Sequence, residues 1–148
     1  MTVVRTVLAV LLAVALMAAS LPAVDVARTA HATGELRETT AALSTGVERF
    51  AARNDPIGGG PGARLSVAVR LPARTATTAP VDRFVLDAAA DAMRFRVRGG
   101  TLSVRRLPVS LSVSGRRERL ELTAPGTHRL TFRLRRVDGG EAVVVTEH

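Results

Sequence analysis

The chain begins with a long apolar segment. Residues 6–24 contain no charged side chain and consist mainly of Val, Leu and Ala. As an α-helix, this segment would be about 28 Å long, close to the bilayer hydrocarbon thickness of about 30 Å. Residues 7–19 also lack the polar stripe that a helix of a soluble protein carries. Residues 1–24 therefore predict a membrane anchor or a secretory signal peptide.

The choice between these two alternatives decides the expected location. Only Arg5 and the amino terminus precede the apolar segment, so the positive-inside rule favours a cytoplasmic N-terminus and an external C-terminal domain. The expected location is the cell membrane, with a single span. The tripeptides that end at Ala23 and Ala32 are candidate cleavage sites, and cleavage at either would give a secreted protein.

A helical periodicity follows the apolar segment. Leu36, Leu43, Val47 and Phe50 are spaced seven, four and three residues apart, which places them on one face of a helix. Residues 25–55 therefore predict an amphipathic helical stem. Without cleavage, the two segments would form one helix of about 50 residues, which Pro22 is expected to bend. The apolar face packs either on the C-terminal domain of the same chain or on sister stems in an assembly.

The pattern changes again after a linker. Pro and Gly residues between positions 56 and 63 predict a flexible linker. From Arg64 onward, apolar residues alternate with polar ones at a period of two. Residues 64–148 therefore predict seven or eight short strands in an antiparallel sandwich or a small barrel. Within them, residues 82–92 are ambiguous between a strand and a helical turn.

These predictions combine into a fold class. We expect an α+β layout, in which an N-terminal hydrophobic and amphipathic helix is followed by an all-β domain. The domain boundaries follow the same segments: an anchor or signal peptide at 1–24, a stem at 25–55, a linker at 56–63 and a β domain at 64–148.

The charge distribution suggests an anionic partner. The chain has a net charge of +8 and every basic residue is Arg. Residues 1–55 are neutral, so the whole excess belongs to residues 56–148. Arginines at alternate strand positions would line the polar side of a sheet. Such a face could bind an anionic polymer or lipid, or it could be a solvated coat. The candidates for an anion-binding face are Arg94, Arg96, Arg98, Arg105, Arg129, Arg133 and Arg135.

The composition points away from several other functions. The chain contains no Cys, Trp or Tyr, which excludes thiolate nucleophiles and Cys-ligated metals and leaves few aromatic side chains for stacking on bases. His31, His128 and His148 have no metal-binding spacing. Gly58–Gly62 lacks the Lys and Ser or Thr of a phosphate loop. We therefore expect no enzymatic activity, no cofactor or metal and no small-molecule substrate, and nucleic-acid binding is disfavoured.

Three segments carry a resemblance to a known group of proteins. Residues 7–28 (VLAVLLAVALMAASLPAVDVAR), 70–86 (RLPARTATTAPVDRFVL) and 122–136 (LTAPGTHRLTFRLRR) resemble a small uncharacterised family of haloarchaeal membrane-anchored proteins. Genes of that family tend to lie near components of type IV pilus-like or secretion systems. The layout is also similar to that of a pilin, although no Glu falls within the apolar segment.

The resemblance and the layout imply two functions. The first is a membrane-anchored structural or accessory subunit of a pilus-like or secretion assembly, with the membrane and the other subunits as partners. The second is an anchored or secreted module that binds an anionic polymer or lipid through its Arg-rich sheet face.

Overall fold

The architecture is taken from a computed structural model of the full chain. It describes residues 2–55, 62–114, 118–137 and 140–147. Most of the predicted linker at 56–63 lies outside these ranges, as does His148. The α+β layout is confirmed: one long helix precedes two four-stranded sheets.

The helix, α1, extends over Thr2–Arg53 and is continuous through Pro22. The anchor segment and the stem therefore form one helix, as expected for an uncleaved chain. Ala and Leu, the strongest helix formers, are frequent along its length. At its C-terminal end, the side-chain amide of Asn54 donates a hydrogen bond of 2.7 Å to the carbonyl oxygen of Phe50. This bond satisfies one of the carbonyl groups that the end of a helix leaves without a partner.

Eight strands follow the helix. They are β1 (Arg64–Leu71), β2 (Val81–Asp87), β3 (Ala92–Val97), β4 (Ser103–Arg106), β5 (Leu111–Val113), β6 (Arg119–Leu122), β7 (Gly126–Val137) and β8 (Gly140–Glu147). The first sheet has the order β1-β7-β8-β5, and the second sheet has the order β4-β3-β2-β6. The two sheets are separate, so the structure is not a closed barrel. The ambiguous residues 82–92 form most of β2, a turn and the first residue of β3.

One strand pair departs from the expected antiparallel arrangement. β5 pairs with β8 in parallel, with Leu111 opposite Val143. The turn that ends at Asp91 fixes the approach of β5, because the Asp91 carboxylate accepts a 2.7 Å hydrogen bond from the backbone N–H of Leu111. Asp91 has φ 47°, a left-handed conformation that Asp tolerates better than most residues. A contact between residues 20 positions apart therefore sets this topology, and no local pattern predicts it.

The C-terminal half of α1 contributes to the core of the β domain. Leu36, Leu43, Val47 and Phe50 are all buried, in one cluster with side chains from both sheets. The helix contacts β1 of the first sheet and β3 of the second sheet. Of the two interpretations of the apolar face, the structure therefore supports packing on the same chain. The stem and the β domain share a single core.

The packing of α1 predicts different effects for two identical substitutions in one helix. Leu36 is 0% exposed, whereas Leu21 is 65% exposed. Leu36→Ala should lower the free energy of unfolding by about 2–5 kcal/mol, because it creates a cavity in the core. Leu21→Ala should leave the stability of the β domain unchanged. Thermal unfolding of both variants in the same detergent measures the difference, and equal effects would contradict this description of the core.

Candidate functional site

The seven candidate arginines do not lie on one face. Arg94 and Arg96 belong to β3 of the second sheet, and Arg98 follows that strand. The arginines at 129, 133 and 135 belong to β7 of the first sheet. Alternation along a strand indicates which residues share a face, but not which sheet the strand joins. The sequence pattern therefore grouped residues that the fold separates.

Arg105 is in a third environment. It lies opposite Met93 on the neighbouring strand, so its side chain leaves the sheet on the side of the core rather than on the side of Arg94. It remains exposed because β4 is at the edge of the second sheet. Together with Arg37 and Thr40 of α1, it lines a groove between the helix and this edge.

Three arginines of the second sheet pair with acidic residues. The carboxylate of Asp87, which is 2% exposed, lies 3.4 Å from Arg94 Nη2 and 3.2 Å from Arg119 Nε. On the same sheet, Arg83 pairs with Glu121 at 2.8 Å. A buried carboxylate requires such partners, because its desolvation costs several kcal/mol. These contacts give Arg94 a structural role. The burial of Asp87 was not predicted from the sequence.

The outer face of the first sheet is different, because no described acidic residue pairs with its arginines. Arg64 of β1 lies directly opposite Arg133 of β7, an arrangement that is unfavourable for like charges. Ser66 and Thr131, the next pair on this face, have hydroxyl oxygens 3.3 Å apart. Among the described residues, no ion pair involves any arginine of this face. We call it the first-sheet arginine face; its members are Arg64, Arg70, Arg129, Arg133 and Arg135.

A second basic site lies where α1 meets the loops of the β domain. Arg28 Nε donates a 2.6 Å hydrogen bond to the carbonyl oxygen of Ala76, and Thr29 Oγ1 donates one of 3.0 Å to the carbonyl oxygen of Arg98. The close approach depends on glycine: a Cβ at Gly100 would lie 3.2 Å from the methyl group of Thr29. These contacts join the helix to the loop after β1 and to the loop after β3.

The same contacts enclose a cavity of about 210 Å³, which we call the junction pocket. Arg28, Arg74 and Arg98 line it, together with the hydroxyl-bearing residues Thr29 and Thr78. This group of residues was not predicted from the sequence. Its members come from a helix, a loop and a strand end, and no pattern in the sequence brings such positions together.

No described residue covers the most apolar part of α1. The helix Val3–Arg53 is long and apolar enough to cross a membrane, and its most apolar 18-residue window is 0% buried. No other described helix has this property. The apolar side chains are already arranged for contact with lipid or with another apolar surface.

The described histidines offer no metal site. No group of three or more His, Cys, Asp or Glu residues able to hold a metal occurs in the described part of the chain. His128 is held between two acceptors, with Nε2 2.7 Å from the carbonyl oxygen of Ala124 and Nδ1 2.6 Å from Glu147 Oε1. The bond to Ala124 raises the pKa of His128 above its ordinary value, and Glu147 raises it further, against a lowering by burial.

The structure is that of an α+β protein whose single long helix is compatible with membrane anchoring. The chain belongs to the family described as a Domain of unknown function (DUF7311), whose model matches residues 3–148. No curated protein and no solved structure matches it.

The contacts of His128 predict a pH-dependent stability. The pKa of His128 is higher in the folded state than its ordinary value of 6.5, so protonated His128 raises the free energy of unfolding. This contribution is fully present below pH 6.5 and is lost as the pH rises through the folded-state pKa. The melting temperature of the protein should therefore exceed that of His128→Gln at pH 5.5, and the difference should shrink by pH 9. Thermal unfolding across this range tests the prediction, and a difference that does not vary with pH would contradict it.

Proposed function

We propose that this protein is a non-enzymatic, single-pass membrane protein whose β domain lies outside the cytoplasm. In this proposal it serves as a structural or accessory subunit of a pilus-like or secretion assembly. The observation that carries the proposal is the double role of α1. Its N-terminal half is apolar and exposed, and the same unbroken helix continues into the core of the β domain.

The exposed half of α1 favours a membrane location on energetic grounds. Removing one Leu or Val side chain from water contributes about 1.5–3 kcal/mol. Val3, Leu8, Leu12 and Met17 are each more than 60% exposed, and they are only part of the set. Such a surface is stable only when lipid or another apolar surface covers it. Arg5, ahead of the segment, favours a cytoplasmic N-terminus.

The membrane segment also has features of a helix that associates with other helices. Ala15, Ala19 and Ala23 recur every four residues, close to one face of α1. In a membrane, small residues at this spacing let helix backbones approach closely. Because α1 has no break between the span and the domain, an association of spans would also position the β domains.

Cysteine cross-linking within the membrane tests this proposal. The chain has no native Cys, so each introduced Cys is unique. Ala19→Cys lies on the alanine face, and Leu21→Cys lies about 200° away on the same helix. We expect oxidation of native membranes to link Ala19→Cys chains at least five times more efficiently than Leu21→Cys chains. Equal or absent cross-linking, with a monomer in mild detergent, would exclude assembly through this face.

Two further measurements address the remaining parts of the proposal. Mass spectrometry of the membrane fraction should find a chain that begins at Met1 or Thr2; a start near residue 24 would show that the span is removed. The cross-linked Ala19→Cys species should also co-purify with pilus or secretion subunits. Recovery of the protein alone would contradict the assignment to such an assembly.

The first-sheet arginine face favours a second function, the binding of an anionic polymer. Its arginines lack acidic neighbours among the described residues, so their guanidinium groups are available to carboxylates or phosphates. Binding would weaken as salt rises, since exposed charges are screened.

Paired substitutions on the two sheets test this second function. On an alginate column, the double variant Arg133→Gln/Arg135→Gln should elute at about half the salt concentration that the unchanged protein requires. The control Arg96→Gln/Arg105→Gln removes the same charge from the second sheet and should elute later than the first variant. If both variants elute together, net charge rather than the face determines binding.

A further inference from the structure

The junction pocket lies at a defined depth relative to the proposed membrane span. Val24 is the last apolar residue of the uncharged segment, and Arg28 follows four residues later. A rise of 1.5 Å per residue places Arg28 about 6 Å beyond Val24 along the helix axis. The headgroup layer on each side of a bilayer is about 5–8 Å thick. The pocket would therefore open at the level of the lipid headgroups.

The walls of the pocket are held by hydrogen bonds that do not depend on a ligand. The backbone N–H of Ala79 donates to the carbonyl oxygen of Arg28 at 3.4 Å, and that of Arg98 donates to the carbonyl oxygen of Pro80 at 3.0 Å. Thr75 stabilises the loop, because its hydroxyl oxygen accepts the N–H of Thr78 at 3.0 Å. The backbone that carries the lining side chains is thus positioned in advance, which lowers the entropic cost of binding.

The pocket has an excess of positive charge. Of its lining residues, Arg28, Arg74 and Arg98 are basic and Asp25 is acidic. Asp25 pairs with Arg28 Nη1 at 3.1 Å, and Asp82 pairs with Arg98 Nε at 3.1 Å. Within the described part of the chain, Arg74 forms no ion pair, and no hydrogen bond uses Arg28 Nη2 or the terminal nitrogens of Arg98. Several guanidinium N–H groups are therefore available to an anion.

The donor set fits a phosphate group. Guanidinium groups bind phosphate through two parallel hydrogen bonds, and three of them line this pocket together with the hydroxyl of Thr78. The hydroxyl proton of Thr29 is already donated to the carbonyl oxygen of Arg98. The cavity of about 210 Å³ is several times the ~30 Å³ that one water molecule occupies, so a phosphate and part of its ester group would fit.

We propose that the junction pocket binds the phosphate group of an anionic lipid headgroup in the leaflet nearest to the β domain. The proposal rests on the membrane anchoring of α1, because the depth of the pocket follows from the position of the span. Binding there would hold the β domain against the membrane surface, at the point where the helix joins the loops.

The experiment uses the full chain in detergent micelles and three probes: short-chain phosphatidylglycerol, short-chain phosphatidylcholine and inorganic phosphate. Isothermal titration should give saturable binding of phosphatidylglycerol at least five times tighter than of the zwitterionic lipid. Inorganic phosphate should bind at least ten times more weakly than phosphatidylglycerol. Equal affinity for inorganic phosphate would overturn the assignment to lipid, and no preference for the anionic lipid would overturn the site.

A matched pair of variants locates the binding. Arg74→Gln removes a guanidinium that has no ion pair among the described residues, so the fold should survive. It should weaken phosphatidylglycerol binding about tenfold. Arg96→Gln removes another exposed charge, from the second sheet, and should bind as the unchanged protein does. Equal affinities of the two variants would show that the lipid binds elsewhere.

A sedimentation measurement separates this proposal from the anchoring on which it rests. The unchanged protein and Arg74→Gln are each extracted from membranes at alkaline pH and sedimented. Protein that stays in the membrane pellet is anchored, whether or not the pocket binds lipid. If the protein is extracted, the anchoring fails and the depth argument fails with it. If Arg74→Gln stays in the membrane and still binds phosphatidylglycerol with the original affinity, the pocket proposal fails and the anchoring stands.

Discussion

The structure depends on the burial of one helix face against two sheets. Leu36 and Val47 are fully buried in a cluster that includes side chains of β1, β3 and β7. A β domain of this size exposes much of its surface and has little apolar volume to spare. The side chains of α1 are therefore part of the domain itself. This burial fixes the helix relative to the sheets, and through the unbroken helix it fixes the domain relative to the apolar segment.

The shared core distinguishes between the two candidate cleavage positions. Ala32 is fully buried, and Arg28 and Thr29 donate to the loops of the β domain. Cleavage after Ala32 would remove both donors and take a buried residue from the core. Cleavage after Ala23 would leave all these contacts in place. A secreted form with an intact core would therefore begin near Val24, and it would retain the junction pocket.

The sequence predicted the helix, the alternating strands and the apolar face of the stem, because each is a property of neighbouring residues. It did not predict the parallel pairing of β5 with β8, which depends on the contact between Asp91 and Leu111. The same limit applied to the arginines. Alternation indicates which neighbouring residues share a face, but it could not show that Arg105 leaves its sheet on the side of the core or that buried Asp87 would pair with Arg94 and Arg119. The junction pocket depends entirely on tertiary contacts, so no pattern revealed it.

The two sheets therefore differ in what their charge can do. On the second sheet, Arg94 forms an ion pair with Asp87, and the buried carboxylate of Asp87 requires such a partner. On the first sheet, Arg64 and Arg133 lie opposite each other and no described acidic residue pairs with either, an arrangement that costs stability unless an anion or salt relieves it. A face that only contacts solvent would not require two arginines directly opposite each other. The first-sheet arginine face, whose arginines form no ion pair among the described residues, is therefore a place where an anionic partner would gain by binding, and Arg74 of the junction pocket is another.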